Sequence, residues 1–192
     1  MQVRGPLMVE HRLIERMIAL MERTVAQSQE TQMTAPFFVD TAVDFITVYA
    51  DRTHHGKEEN ILFRDLDKKS LSDTDRRFMK ELIEEHVLAR KTTKALVVAN
   101  ARCRNGESAA IAAVKSHLRT LADLYPKHIQ KEDEVFFPAS CAYLSDEEEQ
   151  AMLAEFWEFD RKMIHEKYKS VVQGLEGTGE QRSTLYFLLS PL

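Results

Sequence analysis

The sequence predicts an all-α fold, an antiparallel up-down four-helix bundle with an additional C-terminal helix. Three observations predict it. Apolar residues recur at alternating three- and four-residue steps along extended segments, the period of one helical face. Glycine and proline, at 6 and 5 residues in 192, are too scarce for a turn-rich β fold. The polar breaks between the segments are short, which favours antiparallel neighbours.

The first helix is expected from about Leu7 to Ser28, with Met8, His11, Ile14, Ile18, Met21 and Val25 on one stripe. A polar break, Gln29 to Ala35, precedes Pro36, which suits a first helical turn and opens a second helix to about Asp65. Ser72 or Asp73 caps a third helix reaching about Arg104, and Asn105-Gly106 stops it. The fourth runs from about Ser108 towards Phe137 and contains Pro126, whose missing N–H predicts a kink two residues before His128. Ser145 and Glu148 form a capping-box pattern at the head of a fifth helix that ends near Gly174. Residues 1–174 are thus read as the bundle plus its fifth helix, and 175–192 as a tail with a short apolar end, Leu185 to Leu189.

Composition excludes several classes of function. Charged residues make up 30% but nearly balance at net −5, so a basic nucleic-acid footprint is absent. The N-terminal residues lack the apolar run of a signal peptide, and no stretch approaches the roughly 18 consecutive apolar residues of a membrane span. Two distant cysteines, Cys103 and Cys141, are too few for a disulfide scaffold or a thiolate metal site and fit a reducing cytoplasm. No nucleic-acid or membrane partner is expected, and the oligomeric state is left open.

The chemistry lies in an internal repeat. Glu10-His11 is followed by His54-x-x-x-Glu58, and Glu85-His86 by His128-x-x-x-Glu132, with His spacings of 43 and 42 residues. Residues four apart on a helix share a face, so each His-x-x-x-Glu aims an imidazole and a carboxylate at one point. Imidazoles suit first-row metals, and a glutamate can bridge two cations. The fourth helix is the most telling. Ile111, Val114, Leu118, Leu121, Tyr125, His128, Glu132 and Val135 continue one stripe, and a carboxylate buried there needs a cation.

The second helix is ambiguous. Ala50, Ile46 and Val43 precede His54 on its stripe and favour His54 with Glu58. His55 with Glu59 stays as the alternative, because Gly56 offers a local change of phase. A lone histidine on an apolar face is more often a hydrogen-bonded core residue, and a lone His-x-x-x-Glu carries little weight in a glutamate-rich chain. The weight lies in four helices each placing a histidine inward. His117 falls off its stripe and reads as surface, and Glu15 as solvated. His165 on the fifth helix reads as a capping residue or as a supporting neighbour of the ligands. The acidic run Asp146 to Glu149 reads as a solvated helix start.

The segments EHRLIER (from Glu10), HHGKEENILF (from His54), EEHVLAR (from Glu84) and HIQKEDEVFFP (from His128) together resemble the hemerythrin-like, HHE cation-binding family. The resemblance spans about Met8 to Pro138, and the fifth helix is similar to an extension found in one bacterial subgroup. It implies two non-haem iron ions in an oxo- or hydroxo-bridged di-iron centre, with His11, His54, Glu58, His86, His128 and Glu132 at ligand positions. Oxygen carriers of the family use a fifth histidine four residues after the one on the third helix. Here that place holds Arg90, and His165 is the candidate replacement. The departure shifts the expectation from oxygen carriage towards binding of O2, NO or peroxide at an open iron position in stress response or sensing. Two rival readings share these ligands. One is an enzyme of NO reduction, peroxide breakdown or iron–sulfur repair, which adds an electron donor; the other is a metal-dependent interaction module.

Overall fold

The protein is described here by a computed structural model covering residues 2–27 and 37–176. The break at Gln29 to Ala35, the helix start at Pro36 and the apolar end at Leu185 to Leu189 lie outside the described residues, as does most of the tail assigned to 175–192. Five helices make up the described chain. They are α1 (Arg4–Gln27), α2 (38–66), α3 (Asp73–Arg104), α4 (110–140) and α5 (Asp146–Glu176). Among the described residues there is no strand, and no helix is long and apolar enough to cross a membrane.

The caps follow the sequence. Ser72 Oγ accepts from the Asp75 amide at 3.1 Å and starts α3. Gly106, at φ +90°, takes the left-handed turn that ends it, a conformation that disfavours a side chain. The Ser145 amide donates to Glu148 at 2.9 Å and the Glu148 amide to Ser145 Oγ at 3.3 Å, a reciprocal capping box for α5. Helix α4 continues through Pro126, which donates no backbone hydrogen bond, from Ala110 to Lys131.

Two helices are wound wider than expected. In α2, Ile46–His55 and Glu58–Phe63 form π-helix, and in α4 Glu132–Phe136 does so. A π turn closes on the fifth residue rather than the fourth, so each residue advances by less than the ~100° of an α-helix. The consequence is visible in α4. The α-helical stripe predicted Val135 inward, but the wider turn leaves Val135 43% exposed and buries Phe136.

The interior has three levels. Ile14, Ile18, Ala50, Leu96, Leu118 and Leu121 belong to one apolar cluster. Leu7, Ile61, Leu82, Phe136, Phe137 and Phe156 belong to another. Each of the first four helices crosses from one cluster to the other through a polar stretch: His11, then 54–58, then His86, then 128–132. Buried histidines and glutamates are thereby concentrated in one layer.

Candidate metal centre

The layer holds five histidines and two glutamates, each with at most 3% of its surface exposed: His11, His54, His55, His86, His128, Glu58 and Glu132. Their donor atoms fall into two groups. One is His11, His54, Glu58 and Glu132; the other is His55, Glu58, His86 and His128, with the atoms of each group within 4.8 Å of one another. Nε2 of His11 lies 2.9 Å from Nε2 of His54, and Nε2 of His86 lies 3.1 Å from that of His128.

The carboxylates span the groups. Glu58 places Oε1 3.4 Å from His54 Nε2 and Oε2 3.4 Å from His86 Nε2. Oε2 of Glu132 lies 3.2 Å from His11 Nε2 and 3.3 Å from His128 Nε2. These are ion-pair distances without hydrogen-bond alignment: both oxygens of Glu58, both of Glu132 and both ring nitrogens of His55 have no hydrogen-bond partner. Buried polar atoms are normally satisfied, so such a concentration fits a cation site.

The outer faces of the rings are held in the way metal-ligating imidazoles are. His11 Nδ1 donates to Asp133 at 2.7 Å, His54 Nδ1 to Glu10 at 2.8 Å, His86 Nδ1 to Glu59 at 2.6 Å and His128 Nδ1 to Glu85 at 2.8 Å. A proton fixed on Nδ1 leaves the Nε2 lone pair facing inward. The carboxylates are anchored in turn. Glu59 accepts from Arg90 at 2.7 Å, Glu85 from Lys131 at 2.6 Å, Glu10 from Lys57 and Asp133 from Arg12. Phe63 and Phe137 lie parallel to His86 and His11, with ring centroids 6.1 and 5.7 Å apart.

Electrostatics follow from this crowding. Burial opposes ionisation of Glu58, but His54, His86 and His11 outweigh it and hold its carboxyl well below the usual range. Burial, reinforced by Glu58, pushes Glu132 well above it. Burial also opposes charge on His54, yet Glu58 and Glu10 prevail and raise it to about 9. Burial lowers His128 to about 4 and His55 well below the ordinary imidazole value, helped by the neighbouring rings. The two buried acids are thus driven in opposite directions, an imbalance a divalent cation would remove.

All six residues of the sequence-derived ligand set meet in this layer. Two expectations change. His54 and His55 both lie in the layer: the reduced rotation per residue in the π-helix turns both rings inward, with His55 stacked 3.8 Å from His86. Glu59 points to the outer face of His86 and is absent from both donor groups. His165 is exposed on α5 and also lies outside both groups. The outer carboxylates Glu10, Glu85 and Asp133 were not assigned a role from sequence, and Glu59 was offered there only as an alternative ligand. Their signal was the repeat itself, an acid before each first histidine and an acid after each glutamate.

A family model described as Hemerythrin HHE cation binding domain matches residues 6–140, which takes in α1 to α4 and every donor above. No curated protein and no solved structure matches the chain.

Proposed function

Because this chain belongs to the hemerythrin HHE cation-binding family, whose members bind metal ions, typically iron, we propose that it holds two non-haem iron ions and binds a small ligand beside them. The observation that carries this reading is the pair of four-donor groups sharing Glu58, with carboxylate oxygens that no hydrogen-bond donor meets. Five imidazoles and two carboxylates without a thiolate suit iron better than structural zinc.

The proposed ligands are His11 and His54 for one ion and His55, His86 and His128 for the other, with Glu58 and Glu132 spanning both. The fifth imidazole then comes from α2 rather than α3, and Arg90 is free to brace Asp51 and Glu59, each at 2.7 Å. When bound, the pair supplies one-electron redox changes and an open coordination position. The chain's own residues do the rest. Glu10, Glu59, Glu85 and Asp133 fix the rings, and the apolar clusters on either side exclude water.

Ala89, Leu124 and Tyr125 line a narrow recess beside the three-imidazole group of His55, His86 and His128, too tight in this structure to hold a water molecule. Tyr125 is buried and its hydroxyl has no hydrogen-bond partner. It is the side chain best placed to donate to a diatomic or peroxide guest, which favours O2, NO or peroxide as the ligand class and a role in stress response or sensing. Tyr49, the other tyrosine near the layer, stands on the side of Glu10 and Asp160, and burial with those acids pushes it up to about 12.

Anaerobic reconstitution with Fe(II), followed by metal analysis and optical spectra with and without NO or azide, tests the reading. Two irons per chain and ligand-dependent spectra are expected. Less than one iron per two chains would overturn it.

A further inference from the structure

Lys57 has no exposed surface, although lysine is rarely buried unless paired. Its ammonium meets Glu10 and lies 2.8 Å from Asp160 Oδ1 and 5.7 Å from the centre of the Phe156 ring. The other oxygen of Glu10 holds His54 Nδ1 at 2.8 Å. One unbroken run of contacts therefore links Asp160, Lys57, Glu10 and His54. Asp160 and Phe156 belong to α5, beyond the residues that match the family.

The opposite half of the layer shows what this run would be without α5. Lys131 stands three residues after His128, as Lys57 does after His54, and donates to Glu85 at 2.6 Å while Glu85 holds His128 at 2.8 Å. The other acid at Lys131 is Glu81, on the same helix as Glu85 and 3.4 Å away, and Lys131 keeps 22% of its side chain exposed. No residue of α5 pairs with it among the described contacts.

Helix α5 is seated closely on α2. A Cβ on Gly56 would lie 2.8 Å from Phe159 Cζ, so a glycine next to His55 permits the approach. Ion pairs of Arg64 with Glu155 and Arg52 with Glu166, each at 2.7 Å, flank the contact.

We propose that Asp160 is a positioning residue for the metal position that includes His54, and that docking of α5 and occupancy of that position are coupled through Lys57 and Glu10. The inference rests on the metal reading above. Coupling of this kind is reciprocal: a cation that fixes the His54 ring stabilises docked α5, and docked α5 slows loss of that cation. Outer partners of metal-bound histidines typically affect affinity by about 10–100-fold.

The test uses the full-length protein loaded with Fe(II), with Asp160→Asn, Gly56→Ala and Glu155→Gln. Asp160→Asn removes the charge, Gly56→Ala wedges α5 away, and Glu155→Gln cuts a docking ion pair outside the run. The measurements are iron loss to a strong Fe(II) chelator and deuterium uptake by α5 peptides, with and without iron. Asp160→Asn and Gly56→Ala should each speed loss of one of two ions by about 10-fold or more. Iron should slow deuterium uptake over 150–167 in the parent, and Asp160→Asn should abolish that slowing while Glu155→Gln retains it. The inference falls if the parent and Asp160→Asn lose both ions at equal rates, if iron leaves the exchange of α5 unchanged, or if Glu155→Gln matches Asp160→Asn. A parent that takes up no iron overturns the metal reading itself, which separates the two failures.

Discussion

The α1–α2 hairpin and the α3–α4 hairpin carry the same sequence of roles. Each offers Glu-His on its first helix and His-x-x-Lys-Glu-acid on its second, and each places its first glutamate on the Nδ1 of its own second histidine. The remaining contacts cross over. Glu59 and Phe63 of the first hairpin hold and cover His86 of the second, while Asp133 and Phe137 of the second do the same for His11. Two differences break the symmetry. The position after the second histidine is His55 in one hairpin and Ile129 in the other, and only the first hairpin carries α5 on Lys57. The comparison teaches that a repeated motif builds a nearly symmetric cage, and that one residue converts it into a three-plus-two set of imidazoles.

The largest expected effect tests what the halves share. Glu58 belongs to both donor groups, so Glu58→Ala should abolish binding of both ions, bringing iron per chain close to zero by elemental analysis. Retention of one tightly held ion would show that the groups are independent. A smaller effect tests what they do not share. His55→Ile gives the first hairpin the residue of the second and should cost one ion only. Both ring nitrogens of His55 are buried without a hydrogen-bond partner, so the metal-free variant should gain about 1–3 kcal/mol in urea unfolding. Full iron loading in His55→Ile would show that the fifth imidazole is not a ligand.

The fold was largely legible because long α-helical periodicity survives everywhere except near the site. The stripes of α1 and α3 gave their inward histidines, His11 and His86, from residue spacing alone. Caps were legible at Ser72, Gly106 and Ser145 because local hydrogen bonding decides them. Spacing failed where α-helical phase fails. The π turns around His54, His55 and Glu132 changed which residues face inward, so His55 read as a rival of His54 and Val135 as core. The burial of Lys57 was not legible either, since it depends on where α5 lands.

The smallest expected effect is a difference in how the halves of the metal-free protein titrate. Burial opposes a proton on His54, but Glu58 and Glu10 raise it from 6.5 to about 9. Folding therefore keeps a proton that the unfolded chain releases, so this stabilisation is complete below pH 6.5 and fades as pH rises towards 9. Its counterpart His128 is lowered from 6.5 to about 4, chiefly by burial. There the unfolded chain alone takes up the proton, and stability falls as pH drops from 6.5 to 4. Proton NMR of the imidazole C–H signals should show the two rings titrating on opposite sides of 6.5, and His128→Gln should flatten the acid limb of stability against pH. The halves differ here because Glu58 and Glu10 outweigh burial at His54, whereas at His128 burial and the neighbouring His86 outweigh the pull of Glu85 and Glu58. Two rings titrating together near 6.5 would remove that electrostatic distinction and leave His55 and α5 as the asymmetries between the hairpins.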